Sequence, residues 1–379
     1  MRDVVVAGTG IHPFGRFETP LAEMGAHAAR EALADAGVTV NDVDMVFVAN
    51  VGAGMAKGQR MLELVGRPGV PVVNVEAACA SSGSALYLGS RMIESGAAST
   101  VLCVGMEKAP RGFIAASGYE QWQLDSGLGV NPVYFALDAQ TLITGSEATV
   151  EDLADVSVKN HANAVHNPNA MYRRPVTREE VLGSRAVCPP LTLLMLCAPN
   201  EGAAAAVLMS RVAASRRGVD RAVSLLGVSL ASRRADDWFV PAPSYSARRR
   251  SSITAHAVSD ALAEASVAVG DVDVVECQDT DSASELIAYS ELGLCAPGDE
   301  AGLLRDGVTA LAGRLPVNPS GGLLSKGEPL GASGLGQVYE LVAQLRGRCG
   351  PRQVAGARIG LGHVKGAGHN ASVVILGAS

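Results

Sequence analysis

The chain has 379 residues, enough for two to three domains at roughly 150 residues each. Lys and Arg number 31 against 38 Asp and Glu, a net charge of −7, and apolar residues reach 48% while charged residues stay at 18%. These values exclude a disordered chain, which lacks material for a core, and a nucleic-acid partner, which needs a basic excess; no apolar run nears the roughly 18 residues of a membrane span. In chain order, Val4–Ala7, Met45–Ala49, Val72–Val75 and Thr100–Val104 predict short buried strands, and Leu21–Ala36 and Ser81–Ser95 predict helices. Residues 111–190 break the alternation with Trp122, several Tyr and Phe, and the polar run HANAVHNPNAMYRRP. They predict a loop-rich insertion or cap over the first half, where substrate contacts gather. Glu201–Met209 returns to core strand, and a boundary near Ser215 divides the chain into 1–215 and 216–379. The second half predicts strands at Val223–Leu230, Val272–Cys277, Ala355–Gly360 and Ser372–Leu376, with helices at Ile253–Ala265 and Leu335–Arg346. Strands alternating with helices imply parallel pairing and a layered α/β architecture.

A repeat supports the two halves. Residues 27–46 (HAAREALADAGVTVNDVDMV) and 256–275 (HAVSDALAEASVAVGDVDVV) are identical at 12 of 20 ungapped positions. Each reads as an Ala- and Leu-rich helix, a short turn, and Asp-Val-Asp leading into a strand, which points to a duplicated unit.

Seven Cys are scattered without a CxxC pair, and the N-terminal residues lack the layout of a signal peptide, so reduced thiols in a cytoplasm are expected. Six of the seven read as ordinary buried thiols. Cys79 differs, because it lies between a predicted strand and a helix opening in Ser81, Ser82 and Gly83. The positive end of a helix and its free N–H groups favour a thiolate, and small neighbours leave room for a substrate. Cys79 is therefore the candidate nucleophile. No His has a partner at metal-ligand spacing, and no metal is expected.

At these residues a resemblance enters. NVEAACASSGSAL (74–86) resembles the nucleophilic-cysteine segment of the thiolase superfamily, and NPSGGLLSKGEPLGASGLGQ (318–337) resembles its NxxGGxxxxGHPxGxSG signature. Residues 188–210 and 275–295 resemble the sterol-carrier-protein-x and lipid-transfer type of thiolase. GLGHVKGAGHNASVVIL (360–376) resembles the C-terminal motif in its His-containing variant. The resemblance spans the chain. It implies duplicated βαβαβαββ halves in a five-layer α/β/α/β/α sandwich, a homodimer joined near Val72–Val75, and an acyl thioester of coenzyme A or an acyl carrier protein. Coenzyme A would be substrate or product, with no separate cofactor, and a small accessory protein is a further partner.

Two departures bear on the reaction. Glu328 replaces the His of GHP, and Gln278-Asp279-Thr280-Asp281 stands where the family's HDCF or NEAF loop is expected, while His363 is kept. Cys79, Glu328 and His363 are the expected catalytic set, with Gln278, Asp279, Thr280, Gly366 and Gly368 as oxyanion or supporting groups. Ser333, Arg248 and Arg249 are expected to bind substrate. If His363 sits between the other two, a Cys-His-Glu arrangement results, by the logic of catalytic triads. Acyl-enzyme formation on Cys79 and transfer or condensation of the acyl group is the expected activity; aldolase-type cleavage and a non-catalytic partner subunit are the alternatives.

Overall fold

The computed structural model describes residues 3–52, 54–112, 120–234, 252–367 and 369–378. The first half runs β1 (Val4–Gly15), α1 (Leu21–Asp35), β2 (Met45–Ala49), α2 (Lys57–Val65), β3 (Val72–Val75), α3 (Ser81–Glu94) and β4 (Thr100–Lys108). Next come α4 (Gln121–Asp125), α5 (Asn131–Gly145), α6 (Val150–Ala164), α7 (Arg178–Leu182), β5 (Ala186–Cys188) and β6 (Leu191–Thr192), before β7 (Glu201–Ser210) and α8 (Arg211–Arg216). The second half holds β8 (Val223–Ser232), α9 (Ile253–Ala265), β9 (Val274–Glu276), α10 (Ser282–Glu291), α11 (Glu300–Arg305), α12 (Gly322–Ser325), α13 (Ser333–Leu345), β10 (Ile359–Gly366) and β11 (Asn370–Gly377).

Nine strands form one sheet in the order β3-β2-β4-β7-β1-β8-β11-β10-β9. Among the described residues, strand pairing joins its two wings where Val5 and Val6 of β1 pair with Ser224 and Val223 of β8. Between the wings lie α3 and α13, each touching strands of both; α1 and α2 cover the far face of the first wing, and α9 the far face of the second. The expected five layers follow. Small side chains permit this close layering: a Cβ on Gly8 would overlap the backbone of Ala32 in α1 and of Ala36 at its C-terminal cap, and one on Gly227 the carbonyl of Ala261 in α9.

The repeat is a structural repeat. Asp42 and Asp271 each close a 3-10 turn by accepting a backbone N–H, from Thr39 at 2.8 Å and Ala268 at 3.0 Å. Asp44 then accepts from the amides of Ser99 and Thr100, and Asp273 from those of Arg358 and Ile359, which ties each repeat to the next strand. The halves differ beyond it. The counterpart of β3 in the second half shrinks to Val317, bridged to Val275.

Two expectations are corrected. The strand expected at Ala355–Gly360 is Ile359–Gly366, displaced because 353–358 is irregular with a turn at 355–356; His363 thereby falls within a strand rather than after it. The described part of the 111–190 segment contains helices, and α5 and α6 pack against α10, α11 and α12 of the second half rather than over the first. Their apolar residues, among them Leu142, Leu153 and Val156, share one core with Leu286, Ile287 and Tyr289.

Candidate active site

Cys79 lies at the turn from β3 into α3, directly after Ala78, whose φ of 47° is left-handed. Gly366 at the end of β10 backs this turn: a Cβ there would sit 2.8 Å from the Ala77 carbonyl oxygen, so only Gly lets the strand approach. The backbone N–H groups of Ala367 and of Cys79 itself are near enough to the sulfur to favour its charged form.

These groups do not produce a resting thiolate. Burial and the adjoining Glu328 carboxylate push the Cys79 thiol well above its ordinary range. Magnitudes decide it: a helix N-terminus contributes about 0.3–1 kcal/mol, under one pK unit, whereas full burial moves a group by up to about 3–5 units. The expected depression is overturned, and Cys79 rests as a thiol.

Glu328 is buried in the loop between α12 and α13, and its carboxylate is a hub. Oε1 accepts from Gln278 Nε2 at 2.8 Å and Oε2 accepts from Cys197 Sγ at 3.0 Å, and the Cys79 thiol lies close enough for the two groups to shift each other's pKa. Burial raises the Glu328 pKa, while these three neighbours oppose that rise. A carboxylate next to a thiol, poised upward from 4.5, is a group that can accept the thiol proton and return it.

His363 takes no part in that hub. Its Nε2 pairs with Thr254 Oγ1 at 3.0 Å, and Nδ1 has no hydrogen-bond partner among the described residues. The Cys-His-Glu arrangement is therefore corrected: Glu328 meets Cys79 directly. Burial, with help from Lys365, lowers the imidazole to about 4, so His363 is neutral near pH 7.

Cys79, Glu328, Gln278, Thr280, His363 and Gly366 line one cavity of about 200 Å³. Its apolar wall comes from Phe135 of α5, Ile253 of α9, Ile287 and Ala288 of α10, and Leu196 and Leu330. The segment expected as a cap thus does reach the site, through α5. Asp279 does not line this cavity. It is fully buried and accepts from Leu323 N–H, Leu324 N–H and Asn160 Nδ2, holding the start of α12. Ser333 is also fully buried away from the cavity, its hydroxyl donating to the Pro329 carbonyl at 3.3 Å. Arg248, Arg249 and Gly368 lie outside the described residues.

Sequence reasoning missed Cys197, whose thiol reaches Glu328, and Thr254, which holds His363. The only sequence signal for Cys197 was its place in CAPNEG, directly before the buried strand β7. No group of three or more His, Cys, Asp or Glu able to hold a metal occurs among the described residues. No helix among them is long and apolar enough to cross a membrane.

Comparison with known proteins now bears on this geometry. Residues 4–187 match the family described as Thiolase, N-terminal domain, and residues 244–378 the family described as Thiolase C-terminal domain-like. An acetyl-CoA acetyltransferase of Methanothermobacter thermautotrophicus is 36% identical, over 99% of this chain and 100% of its own. Human sterol carrier protein 2 is 33% identical, over 99% of this chain and 72% of its own. The benzoylsuccinyl-CoA thiolase subunit BbsB of Thauera aromatica is 33% identical over 97% of this chain and 95% of its own. Among solved structures, the Ltp2-ChsH2(DUF35) aldolase superposes with a TM-score of 0.86 at 25% identity, covering 99% and 98% of the two chains. Human mitochondrial 3-ketoacyl-CoA thiolase in complex with CoA gives 0.75 at 18% identity, over 100% and 98%, a likeness of fold. With the matched domains, the full-length relatives and the five-layer fold agreeing, the chain belongs to the thiolase family.

Proposed function

We propose that this protein is a thiolase-like acyltransferase that forms an acyl-enzyme on Cys79 from an acyl thioester, with Glu328 as the base. The observation that carries the reading is that Cys79 and the buried Glu328 carboxylate share the wall of one apolar-lined cavity, close enough for the carboxylate to act on the thiol. In the acylation step, Glu328 takes the thiol proton while the sulfur attacks the thioester carbonyl. The tetrahedral oxyanion is met by the N–H groups of Cys79 and Ala367, preorganised donors that need no rearrangement. The C–S bond to the carrier then breaks, and the leaving thiolate takes the proton from Glu328. Neutral His363 lines the same cavity and orients the acyl group.

The thioester is of coenzyme A in this reading, in keeping with relatives named for CoA substrates; an acyl carrier protein presents the same bond. A homodimer is proposed through β3, the edge strand of the sheet, where Val73 is exposed. Light scattering should then give about 78 kDa, twice the 38.8 kDa chain, and a concentration-independent monomer would refute it. An accessory subunit of the DUF35 kind is a further candidate partner, on the likeness to a complex of that name. All seven cysteines are free, which suits the reducing cytoplasm proposed for it.

A second reading, aldolase-type cleavage of a β-hydroxyacyl thioester, draws on the same likeness. One experiment separates the two. Incubated with acetyl-, butyryl- and octanoyl-CoA, the protein should gain the acyl mass on Cys79, and Cys79→Ala should gain none. Release of an aldehyde or ketone from a β-hydroxyacyl-CoA with no adduct at any stage would favour the lyase.

A further inference from the structure

The β10 wall of the cavity presents two polar groups without partners among the described residues. Side chains alternate along a strand, so His363 and Lys365 share one face of β10 and both line the cavity, while Val364 between them faces Gly334 of α13. Lys365 is half-buried, and its ammonium has no ion pair or hydrogen bond among the described residues. Lys159 and Lys326, buried elsewhere, each meet a carboxylate, Glu285 at 2.9 Å and Glu276 at 3.4 Å. The Lys365 charge is near enough to His363 and His369 to disfavour their protonated forms. His363 is 2% exposed, and its Nδ1 also lacks a partner. A buried polar atom left unpaired is costly, and a ligand that supplies the partner removes that cost.

We propose that Lys365, with His363 beside it, binds a carboxylate at the far end of the acyl chain, so that the preferred substrates are thioesters of short dicarboxylic acids. This deepens the acyl-enzyme reading of Cys79 and rests on it. In the complex, Lys365 Nζ donates to one carboxylate oxygen and His363 Nδ1 to the other. The Thr254 hydroxyl donates to Nε2, which keeps the hydrogen of the neutral ring on Nδ1.

Position places the anion on the acyl group rather than on the carrier. Lys365 directly precedes Gly366, which backs the nucleophile's turn, and lies two residues before Ala367, whose N–H is near the Cys79 sulfur. The pantetheine arm carries the phosphates of coenzyme A far from the reacting carbon, so an ammonium this close to Cys79 meets the acyl chain first. Strand spacing also keeps that chain short, since the Cα atoms of His363 and Lys365 are about 7 Å apart along β10. The opposite wall of Phe135, Ile253, Ile287 and Ala288 suits methylene groups and offers a carboxylate no donor. Asp138 and Glu291 line the cavity too, and neither is without a partner. In a half-buried recess the effective dielectric is low, so the ammonium attracts an anion more strongly than it would in water.

The test gives the full chain glutaryl-CoA and adipoyl-CoA, with hexanoyl-CoA and heptanoyl-CoA as neutral acyl groups of matching length. Peptide mass spectrometry follows the acylation rate of Cys79, and calorimetry on Cys79→Ala gives the affinity for each thioester without reaction. At least one dicarboxylic thioester should exceed its neutral match by about tenfold or more in both measurements, the size of a charge-assisted hydrogen bond. Lys365→Met should bring that ratio to about one, and Lys365→Arg should keep most of it; a general loss of fold or activity leaves a ratio unmoved. The same acyl pairs carried on N-acetylcysteamine, which has no phosphate, should show the same preference. A ratio near one in wild type overturns the proposal, and so does a ratio that survives in Lys365→Met. A Lys365→Met defect equal for both acyl classes on coenzyme A and absent on N-acetylcysteamine also overturns it, by placing Lys365 on the carrier's phosphates. Absence of any adduct on Cys79 overturns the acyl-enzyme reading instead, and the calorimetric ratio then still decides the carboxylate site.

Discussion

The two copies of the helix–turn–strand unit match residue for residue where they hold the fold, and the regions that follow them share little. Asp42 and Asp271 close equivalent turns, Asp44 and Asp273 tie equivalent strands, and Gly8 and Gly227 let equivalent helices approach. After the unit, the first half makes a tight turn at Cys79, whereas the second half reduces its third strand to Val317 and extends a loop carrying Glu328. Cys197 comes from neither copy but from the crossover into β7. Scaffold is symmetric and the candidate site is not, because packing restrains both copies alike while the residues around Cys79 and Glu328 line a cavity that has no counterpart in the repeat.

The largest expected effect lies on the asymmetric side. Glu328→Gln keeps the shape but cannot accept a proton, so acylation of Cys79 should slow by about 10²-fold or more. In wild type that rate should climb with pH as Glu328 ionises at a pKa raised above 4.5, and in the variant this limb should vanish. An unchanged rate beside a reactive Cys79 would leave Glu328 a loop residue.

His363 gives a stability effect with a defined sign. Its pKa is about 4 folded against 6.5 unfolded, so between those values the unfolded chain binds more protons. Stability is full above pH 6.5 and is lost as pH falls toward 4. His363→Gln should remove up to roughly 2–3 kcal/mol of that loss between pH 6.5 and 4.5, as read from urea unfolding at each pH. Equal slopes for the two proteins would mean that His363 is protonated in the fold. His369, also lowered to about 4, adds the same slope to both proteins and cancels.

The symmetric side can be broken by pairs. Gly8→Ala and Gly227→Ala each press a methyl into rigid helix backbone, at a cost of about 1–3 kcal/mol. Unfolding midpoints lowered by similar amounts would sharpen the equivalence of the halves; a loss at one position alone would end it.

The fold was largely legible because its signals are local. The repeat, the β-branched runs and the small-residue helices each register within about 20 positions, and their places agree with the structure except near residue 355. There GARIGLG offers no alternation to mark where turn gives way to strand. Cys79, Glu328, Gln278 and His363 were legible as site candidates because their motifs are. Their pairings were not. Whether Glu328 meets His363 or Cys79 depends on side-chain placement across three segments, and Cys197 looked like any lone thiol until the 196–200 backbone was seen clasped between 280 and 328. Asp279, beside Gln278 in sequence, turned out to hold α12 instead, since adjacent side chains in an extended segment point opposite ways.

Because the site joins Cys79 to a carboxylate about 250 residues further on, its assembly has an order in time. A ribosome adding about 5–20 residues per second completes the nucleophile's turn roughly 12–50 s before it reaches Glu328. During that interval the growing chain carries a thiol with no base and an apolar recess with one wall absent, since Ile253, Ile287 and Leu330 are still to be made. On the proposed acyl-enzyme reading, a nascent or truncated first half is chemically quiet toward thioesters, and reactivity switches on only when the second wing closes over α3.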